Sequence, residues 1–356
     1  MVSTLLPDPR RYGTGSAAHA VNSPEDATLR REVVNHLARA DDAAIVSALE
    51  AARDHAAYVK LWRVVTDAAN LVDDPGSEAV VARIFALPLV IVTGSRRPAS
   101  LTGVVPDIAV IGDLFKQHGA LGPARNFGLG NALCSLETIE QVRPAEVYAW
   151  TRNAGAARRE LPPADITIDE PGEHVHLRYI VGAAIAPAAE PSFVETASNI
   201  GVWGMPLTRA LAAQLSQPDV EVLPLARPPL DLLSAPHAGR YAQLEAALNL
   251  FASNAVRKLR SATGDPDAVI SAHDDGDIRI GLSSPFDTLT IEGFRWPLHP
   301  LDDFASVTAS ISDLLAACRI TNVRWVETVL PALNKHGHMW YPRVRELDPA
   351  GRPLPH

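Results

Sequence analysis

The sequence predicts a mixed fold of helices and strands, in the range from α/β to α+β. Apolar residues recur at helical spacing through residues 23–74, and helix-like and strand-like stretches alternate after Gly76. Three strand-like runs then follow one another between residues 268 and 296. We therefore expect an N-terminal helical layer, an α/β middle and a C-terminal α+β domain that contains a β-meander.

The helical layer is predicted over residues 23–76, after a flexible N-terminal arm of residues 1–22 that is rich in proline and glycine. Ser23 can cap the first helix, and Pro24 suits its first turn. Apolar residues at intervals of three and four continue through two further helical stretches. The layer ends at an Asp-Asp-Pro-Gly sequence, which favours a turn.

The α/β domain is predicted over residues 77–226, followed by a proline-rich connector over residues 227–236. Its strongest central strand begins at His174, where apolar and polar residues alternate before the pattern becomes uniformly apolar. The predicted elements are strands at 87–92, 146–151, 174–185 and 220–225, helices at 106–118, 136–142 and 207–215, and a glycine-rich irregular stretch at 119–130.

The C-terminal α+β domain is predicted over residues 237–345, with a tail at 346–356. Asp274-Asp275-Gly276 is typical of a hairpin turn, and Asp302-Asp303 is a candidate cap for the helix that follows. The predicted elements are helices at 239–261 and 304–318 and strands at 268–272, 277–283, 288–296 and 322–326.

Composition and charge limit the classes of partner and compartment. The 356 residues include 32 Lys and Arg against 41 Asp and Glu, a formal net charge of -9, which disfavours nucleic acid as a partner. Two cysteines are too few for a disulfide framework. Without a visible signal peptide or an apolar run long enough for a membrane span, we expect a soluble, cytoplasmic protein.

Two pairs of histidines are the candidate metal ligands, His174 with His176 and His336 with His338. On a strand, residues two apart project to the same face, so each pair could reach one metal ion. A zinc or iron site would require the two pairs to meet. The alternative is that each pair lines a solvated face or makes hydrogen bonds, and the spacing leaves both open. A divalent metal is the only cofactor that the sequence suggests.

A second candidate site binds an anion at Ser95, Arg96 and Arg97, which follow a predicted buried strand. Ligands gather at strand ends in α/β sheets, and two arginines can hold a phosphate or carboxylate. The alternative, a surface turn whose arginines face water, is the more common arrangement.

The third candidate is an interface formed by Trp340, Tyr341 and Arg343. Exposed aromatic and arginine side chains are typical of protein interfaces. Equally, this stretch can fold back and pack on the sheet.

Common catalytic and cofactor motifs are absent from the sequence. It contains no P-loop, no Gly-x-Ser-x-Gly and no His-Glu-x-x-His. Gly128-Leu129-Gly130 lacks the third glycine of a dinucleotide fingerprint, so we expect these glycines in turns. Cys134 has no identified histidine partner and is expected to be a buried thiol.

The first functional hypothesis is therefore a non-catalytic interaction or assembly protein, with a protein partner or a second copy of itself. The alternative is an enzyme, either a metal-assisted hydrolase that uses the histidine pairs or one that binds a phosphorylated ligand at Ser95, Arg96 and Arg97. A regulatory module that binds a metabolite is a third option. Whether the chain is an enzyme stays open at this level.

Overall fold

The computed structural model of the chain describes residues 24–70, 80–94, 99–122, 124, 126–152, 161–168, 172–187, 200–215, 217–223, 229–259, 266–284, 291–334, 336–343 and 347. Within these residues the chain forms nine helices and eleven strands, which confirms the predicted mixed fold. None of these helices combines the length and the hydropathy needed to cross a bilayer.

The helices occupy both halves of the chain. They are α1 (Pro24–Ala38), α2 (Asp42–Glu50), α3 (His55–Ala69), α4 (Ile108–His118), α5 (Leu136–Glu140), α6 (Pro144–Arg152), α7 (Ile200–Leu215), α8 (Ala235–Leu259) and α9 (Phe304–Ala317).

The strands form three sheets. They are β1 (Val80–Gly94), β2 (Ala99–Leu101), β3 (Asn126–Ser135), β4 (Ile166–Ile168), β5 (Glu173–Pro187), β6 (Val220–Val222), β7 (Leu230–Asp231), β8 (Asp267–Ala272), β9 (Asp277–Ser283), β10 (Ile291–Pro297) and β11 (Val323–Trp325).

The described residues belong to two compact units. The N-terminal unit comprises those within 19–52 and 59–243, and the C-terminal unit comprises those within 53–58 and from 244 onward. The division falls inside α8, which begins at Ala235 rather than at the predicted Gly239. Pro236 is tolerated there because N–H groups in a first helical turn have no intrahelical partner.

The N-terminal unit is built on a sheet with the strand order β3-β5-β1-β6, in which β7 also pairs with β1. Its described pairings are all antiparallel, so the middle of the chain lies at the α+β end of the predicted range. Strands β1 and β5 pair from Val80–Pro187 to Gly94–Glu173. The core lies on one face of this sheet, against α4 and α7, and includes Phe85, Leu87, Leu89, Ile91, Ile111, Phe115, Ile180, Trp203, Leu207 and Leu211.

Pro88 lies in the middle of β1, where a missing N–H would normally disrupt a sheet. The carbonyls of Ile84 and Val90 accept hydrogen bonds from Leu232 and Leu223, on the side of β7 and β6. Every second residue of a strand directs its backbone groups to the same side, so Pro88 also faces that side. There it lies between the residues that pair with β7 and those that pair with β6. The missing N–H therefore leaves no gap in either ladder.

Two local predictions in this unit are wrong. Residues 146–151 are helical, within α6, because Pro144 occupies the first helical position and the Glu146 carboxylate accepts a hydrogen bond from the Arg143 N–H, as in a capping box. Gly128 and Gly130 lie in β3, not in turns. The register of β3 against β5 shifts between Leu129 and Leu133, and this bulge accounts for the irregular sequence pattern.

The C-terminal unit contains a sheet with the order β10-β9-β8-β11. The meander β8-β9-β10, the hairpin turn at Asp274-Asp275-Gly276 and the helix capped by Asp303 are confirmed. Strand β11 returns parallel to β8 after α9. One sheet face is apolar and lies against α9, with Ile270, Ile278, Ile280, Val307, Ile311 and Leu315 buried.

Candidate partner-binding site

The other face of the C-terminal sheet is polar and buried. Register places Ser271 opposite Arg279, and Arg279 opposite Arg295, so these three side chains form a row across β8, β9 and β10. Ser271, Arg279 and Asp277 are almost completely buried. Buried charges need partners, and Arg279 and Asp277 both have oppositely charged partners within the unit.

Two buried side chains of this face, His273 and Arg279, hold the C-terminal segment, which we define as residues 326–343. His273 Nδ1 lies 2.8 Å from the carbonyl oxygen of Pro331. Arg279 Nη1 donates to the carbonyls of Ala332 and Trp340, the latter at 3.0 Å. The C-terminal segment is thus fixed on the polar face through its backbone.

The charges of this face form a chain of ion pairs. Arg279 Nη2 binds the Asp275 carboxylate and lies 3.7 Å from Asp277, which also binds Arg295. The hydrogen bond that Arg295 donates to Asp277 raises the pKa of the Arg295 guanidinium, so this group keeps its positive charge. The negative charge of Asp277 therefore lies between the positive charges of Arg279 and Arg295.

Ser271 and His273 have the contact of a nucleophile and its base, since Ser271 Oγ lies 2.7 Å from His273 Nε2. The carbonyl at Nδ1 requires the proton there, which leaves Nε2 to accept from the hydroxyl. Burial lowers the pKa of His273 and keeps the imidazole neutral. Both side chains are completely buried, and the pair supports the C-terminal segment through the contact of His273 with the Pro331 carbonyl.

Trp340 and Tyr341 pack on their own sheet. Trp340 contacts a buried cluster of Val269, Val326, Leu330 and Leu347 and meets the His273 ring edge-on at 6.4 Å. The Tyr341 ring covers Gly293, where an added Cβ would lie 2.7 Å from ring carbons. Of the two arrangements that the sequence left open, the structure shows these rings folded back, with Arg343 half-buried beside them.

His336 and His338 lie in a turn. A metal site shared by neighbouring positions of a strand would have required them to lie in extended chain. Both of their backbone N–H groups donate to the side-chain oxygen of Asn334, and Gly337 has a φ of 76°. Both imidazoles are exposed. The turn is closed by an antiparallel bridge between Leu333 and Met339.

An open cleft lies on the apolar side of the C-terminal sheet, between α9 and the chain that follows β11. Its volume is about 830 Å³. Trp325 pairs with Ile270 and shares its face, so its side chain is directed toward α9. The cleft is lined by Ala272, Phe304, Ala305, Thr308, Ala309, Ser312, Trp325, Val326, Glu327, Thr328 and Val329.

Three exposed apolar side chains lie close together in sequence after β11. Of the seven large apolar residues that are exposed in the described part of the chain, Val329, Leu333 and Met339 fall within eleven residues of sequence. Val329 also lines the cleft. We call these three residues the apolar patch. Clustered exposed apolar residues mark binding surfaces more often than isolated ones do.

In the N-terminal unit, His174 and His176 lie on one face of β5, as expected for a strand. They stand opposite Thr93 and Ile91, at the end of the core face. His176 Nε2 lies 2.9 Å from Thr93 Oγ1, and the two imidazole centroids are 6.3 Å apart. Burial, together with Arg178 and His174, lowers the pKa of His176 to about 4. His174 Nε2 is buried without a hydrogen-bond partner.

No metal centre is found in the described residues, where no three side chains of His, Cys, Asp or Glu come close enough to share an ion. Each histidine pair therefore lacks further ligands there. Ser95, Arg96 and Arg97 lie outside the described residues and directly follow Gly94, the last residue of β1. Cys134 is the buried thiol that was predicted, and burial raises its pKa to about 11.

Comparison of the chain with protein-family models, with curated proteins and with solved structures finds no match. Sequence reasoning missed the cleft and the patch, because Glu327, Thr328 and Val329 carry no motif. The only signal was the set of small residues Ala305, Thr308, Ala309 and Ser312 on one face of α9, which is equally typical of an ordinary solvent-exposed surface.

Proposed function

We propose that this chain is a non-catalytic interaction protein that binds a partner protein through its C-terminal unit. The observation that carries the proposal is that Val329 both lines the cleft and belongs to the apolar patch. An interface gains most of its free energy from a few apolar and aromatic anchors in a pocket. The cleft offers Phe304 and Trp325 for that purpose, and the patch adds Val329 at the cleft together with Leu333 and Met339, which a bridge holds next to each other.

The polar face supports this proposal through rigidity. The C-terminal segment carries the patch, and it is held by His273, Arg279 and the Asp274 carboxylate, which accepts from Ala332 N–H at 2.7 Å. A surface that is ordered before binding loses less conformational entropy on association. The buried ion pairs thus serve recognition by keeping the patch in place.

The test is to purify the tagged chain from its native host and to identify the proteins that co-purify with it. The parent is compared with a variant in which the apolar patch is replaced. The patch variant carries Val329→Ser, Leu333→Ser and Met339→Ser, whose parent side chains are 40%, 54% and 46% exposed. The matched control carries Val110→Ser, Val202→Ser and Met205→Ser, whose parents are 41%, 51% and 45% exposed in the N-terminal unit. We expect a partner at fixed stoichiometry with the parent and the control but not with the patch variant. Recovery of the same partners by all three proteins would refute the proposal.

A second candidate function, the binding of a small anion, is favoured by the unpartnered Nε2 of His174. A buried polar atom without a partner often marks a bound water or ligand. The atom lies in the N-terminal unit, and Ser95, Arg96 and Arg97 follow the strand that pairs with its own. Inorganic phosphate should then raise the melting temperature of the parent but not of His174→Gln or Arg96→Ala. Equal shifts in the three proteins would exclude this candidate.

A further inference from the structure

The lining of the cleft has a distinct chemistry. Phe304 and Trp325 contribute aromatic rings, whereas the alanines and hydroxyl residues around them are small and leave room. Glu327 is the only ionisable residue of the lining, and it is exposed. No ion pair joins it to another described residue. An aromatic surface with one unneutralised carboxylate favours a cation that is carried on an apolar stem.

Neighbouring charges strengthen this preference. Arg324 precedes Trp325 in β11, and successive side chains of a strand point to opposite faces, so Arg324 is directed away from the cleft. Asp313 follows Ser312 on α9 and is exposed. The positive charge of Arg324 thus lies on the other side of the sheet. The carboxylate of Asp313 is adjacent in sequence to Ser312, which lines the cleft.

The chain after β11 does not favour pairing with an added strand. Val326 N–H binds the Ile270 carbonyl and Leu330 N–H binds the Ala272 carbonyl. The register pairs Trp325 with Ile270 and Leu330 with His273, so four residues, 326–329, stand opposite two, Ser271 and Ala272. Such a bulge interrupts the regular edge that strand addition needs. Recognition must then depend on side chains that enter the cleft.

We infer that the cleft accepts a lysine or arginine side chain flanked by apolar residues in a segment of the partner protein. The aliphatic stem packs on Trp325 and Phe304, and the cation lies against the Glu327 carboxylate. This inference rests on the proposed function and specifies the chemistry of the partner. Because surface ion pairs contribute modestly, the expected preference for a cation is about two- to fivefold in affinity.

Three capped pentapeptides test the inference, Ac-Leu-Ala-Xaa-Ala-Leu-NH2 with Arg, Gln or Glu at the central position. The readout is the NMR signal of the Trp325 indole N–H, identified through its loss in Trp325→Phe. We expect the arginine peptide to shift this signal at about two- to fivefold lower concentration than the glutamine peptide, and the glutamate peptide to bind most weakly. In Glu327→Gln the arginine and glutamine peptides should become equal, whereas Asp313→Asn, outside the lining, should keep most of the preference.

Equal binding of the three peptides, or a preference that survives in Glu327→Gln, would overturn the inference, as would the absence of any shift at Trp325. Glu327 is exposed, so its replacement does not endanger folding. The result is separable from the proposed function. If the arginine and glutamine peptides shift Trp325 equally and the patch variant loses its partner, the selection for a cation fails but the interaction surface stands.

Discussion

At the scale of single residues, Arg279 makes the most consequential set of contacts in the C-terminal unit. Its guanidinium binds two backbone carbonyls and the Asp275 carboxylate in almost complete burial. Arg279→Met would fill much of the volume but leave these acceptors unpaired. We expect a loss of about 3 kcal/mol in the free energy of unfolding, measured in urea.

The matched control for this prediction is Arg319→Met. Arg319 is exposed at the end of α9, so its loss should change the free energy of unfolding by less than about 0.5 kcal/mol. If both variants had the same stability as the parent, the polar face would not be holding the C-terminal segment.

His176 gives a prediction about pH. Its folded-state pKa of about 4 lies below the ordinary 6.5, because burial, Arg178 and His174 oppose protonation. Between these values the unfolded chain binds more protons than the folded one, so this contribution to stability is fully present above pH 6.5 and is lost as pH falls toward 4. His176→Gln, which can still contact Thr93, should show a shallower loss of stability over that range.

Urea unfolding at a series of pH values measures this difference. The exposed His336, replaced by Gln, is the control and should leave the pH profile of the parent unchanged. An identical pH dependence for the parent and His176→Gln would contradict the lowered pKa of the half-buried His176 imidazole. His273 is buried and also has a lowered pKa. It therefore makes the same contribution to the pH dependence of stability in the parent and in His176→Gln.

At the scale of elements, two helical glycines in the N-terminal unit predict opposite outcomes for the same change. An alanine Cβ at Gly239 in α8 would lie 2.2 Å from the Tyr179 hydroxyl oxygen on β5, whereas at Gly112 in α4 it would meet nothing within 4 Å. Gly239→Ala should therefore lower the free energy of unfolding by about 1–3 kcal/mol. Gly112→Ala should raise it by up to about 1 kcal/mol through helix propensity.

Thermal and urea unfolding of the two glycine variants give the comparison. Stabilisation by Gly239→Ala would mean that α8 does not approach β5 as closely as described. The contact also explains the buried hydroxyl of Tyr179, which donates to the Ala235 carbonyl at 3.2 Å and cannot move without losing that bond.

Elements with local determinants were predictable from sequence. The cap at Asp303, the turn at Asp274-Asp275-Gly276 and the meander depend on residues that are neighbours in the chain. Helix α6 was not predicted, because its cap is Arg143 with Glu146 and no typical N-cap residue is present. The antiparallel pairing of β1 with β5 joins residues that are far apart in sequence, and hydropathy patterns do not encode strand direction.

At the scale of the whole molecule, the candidate site was less predictable than the fold. The cleft combines residues from β8, α9, β11 and the chain after β11, and none of them carries a motif. The aromatic residues that did attract attention, Trp340 and Tyr341, serve the sheet of their own unit. A sequence records residue types, but it does not record which apolar side chains remain uncovered after folding.

The central claim is that a partner protein occupies the cleft of the C-terminal unit. Site-specific photocrosslinking in the native host tests it most directly, with p-benzoylphenylalanine in place of Thr308 or Thr328 in the cleft, or of the exposed Ala109 on α4 as control. We predict one discrete adduct, of the same mass, from both cleft positions and none from the control. Irradiation that gives no adduct from the cleft, or the same adducts from all three positions, would contradict the claim.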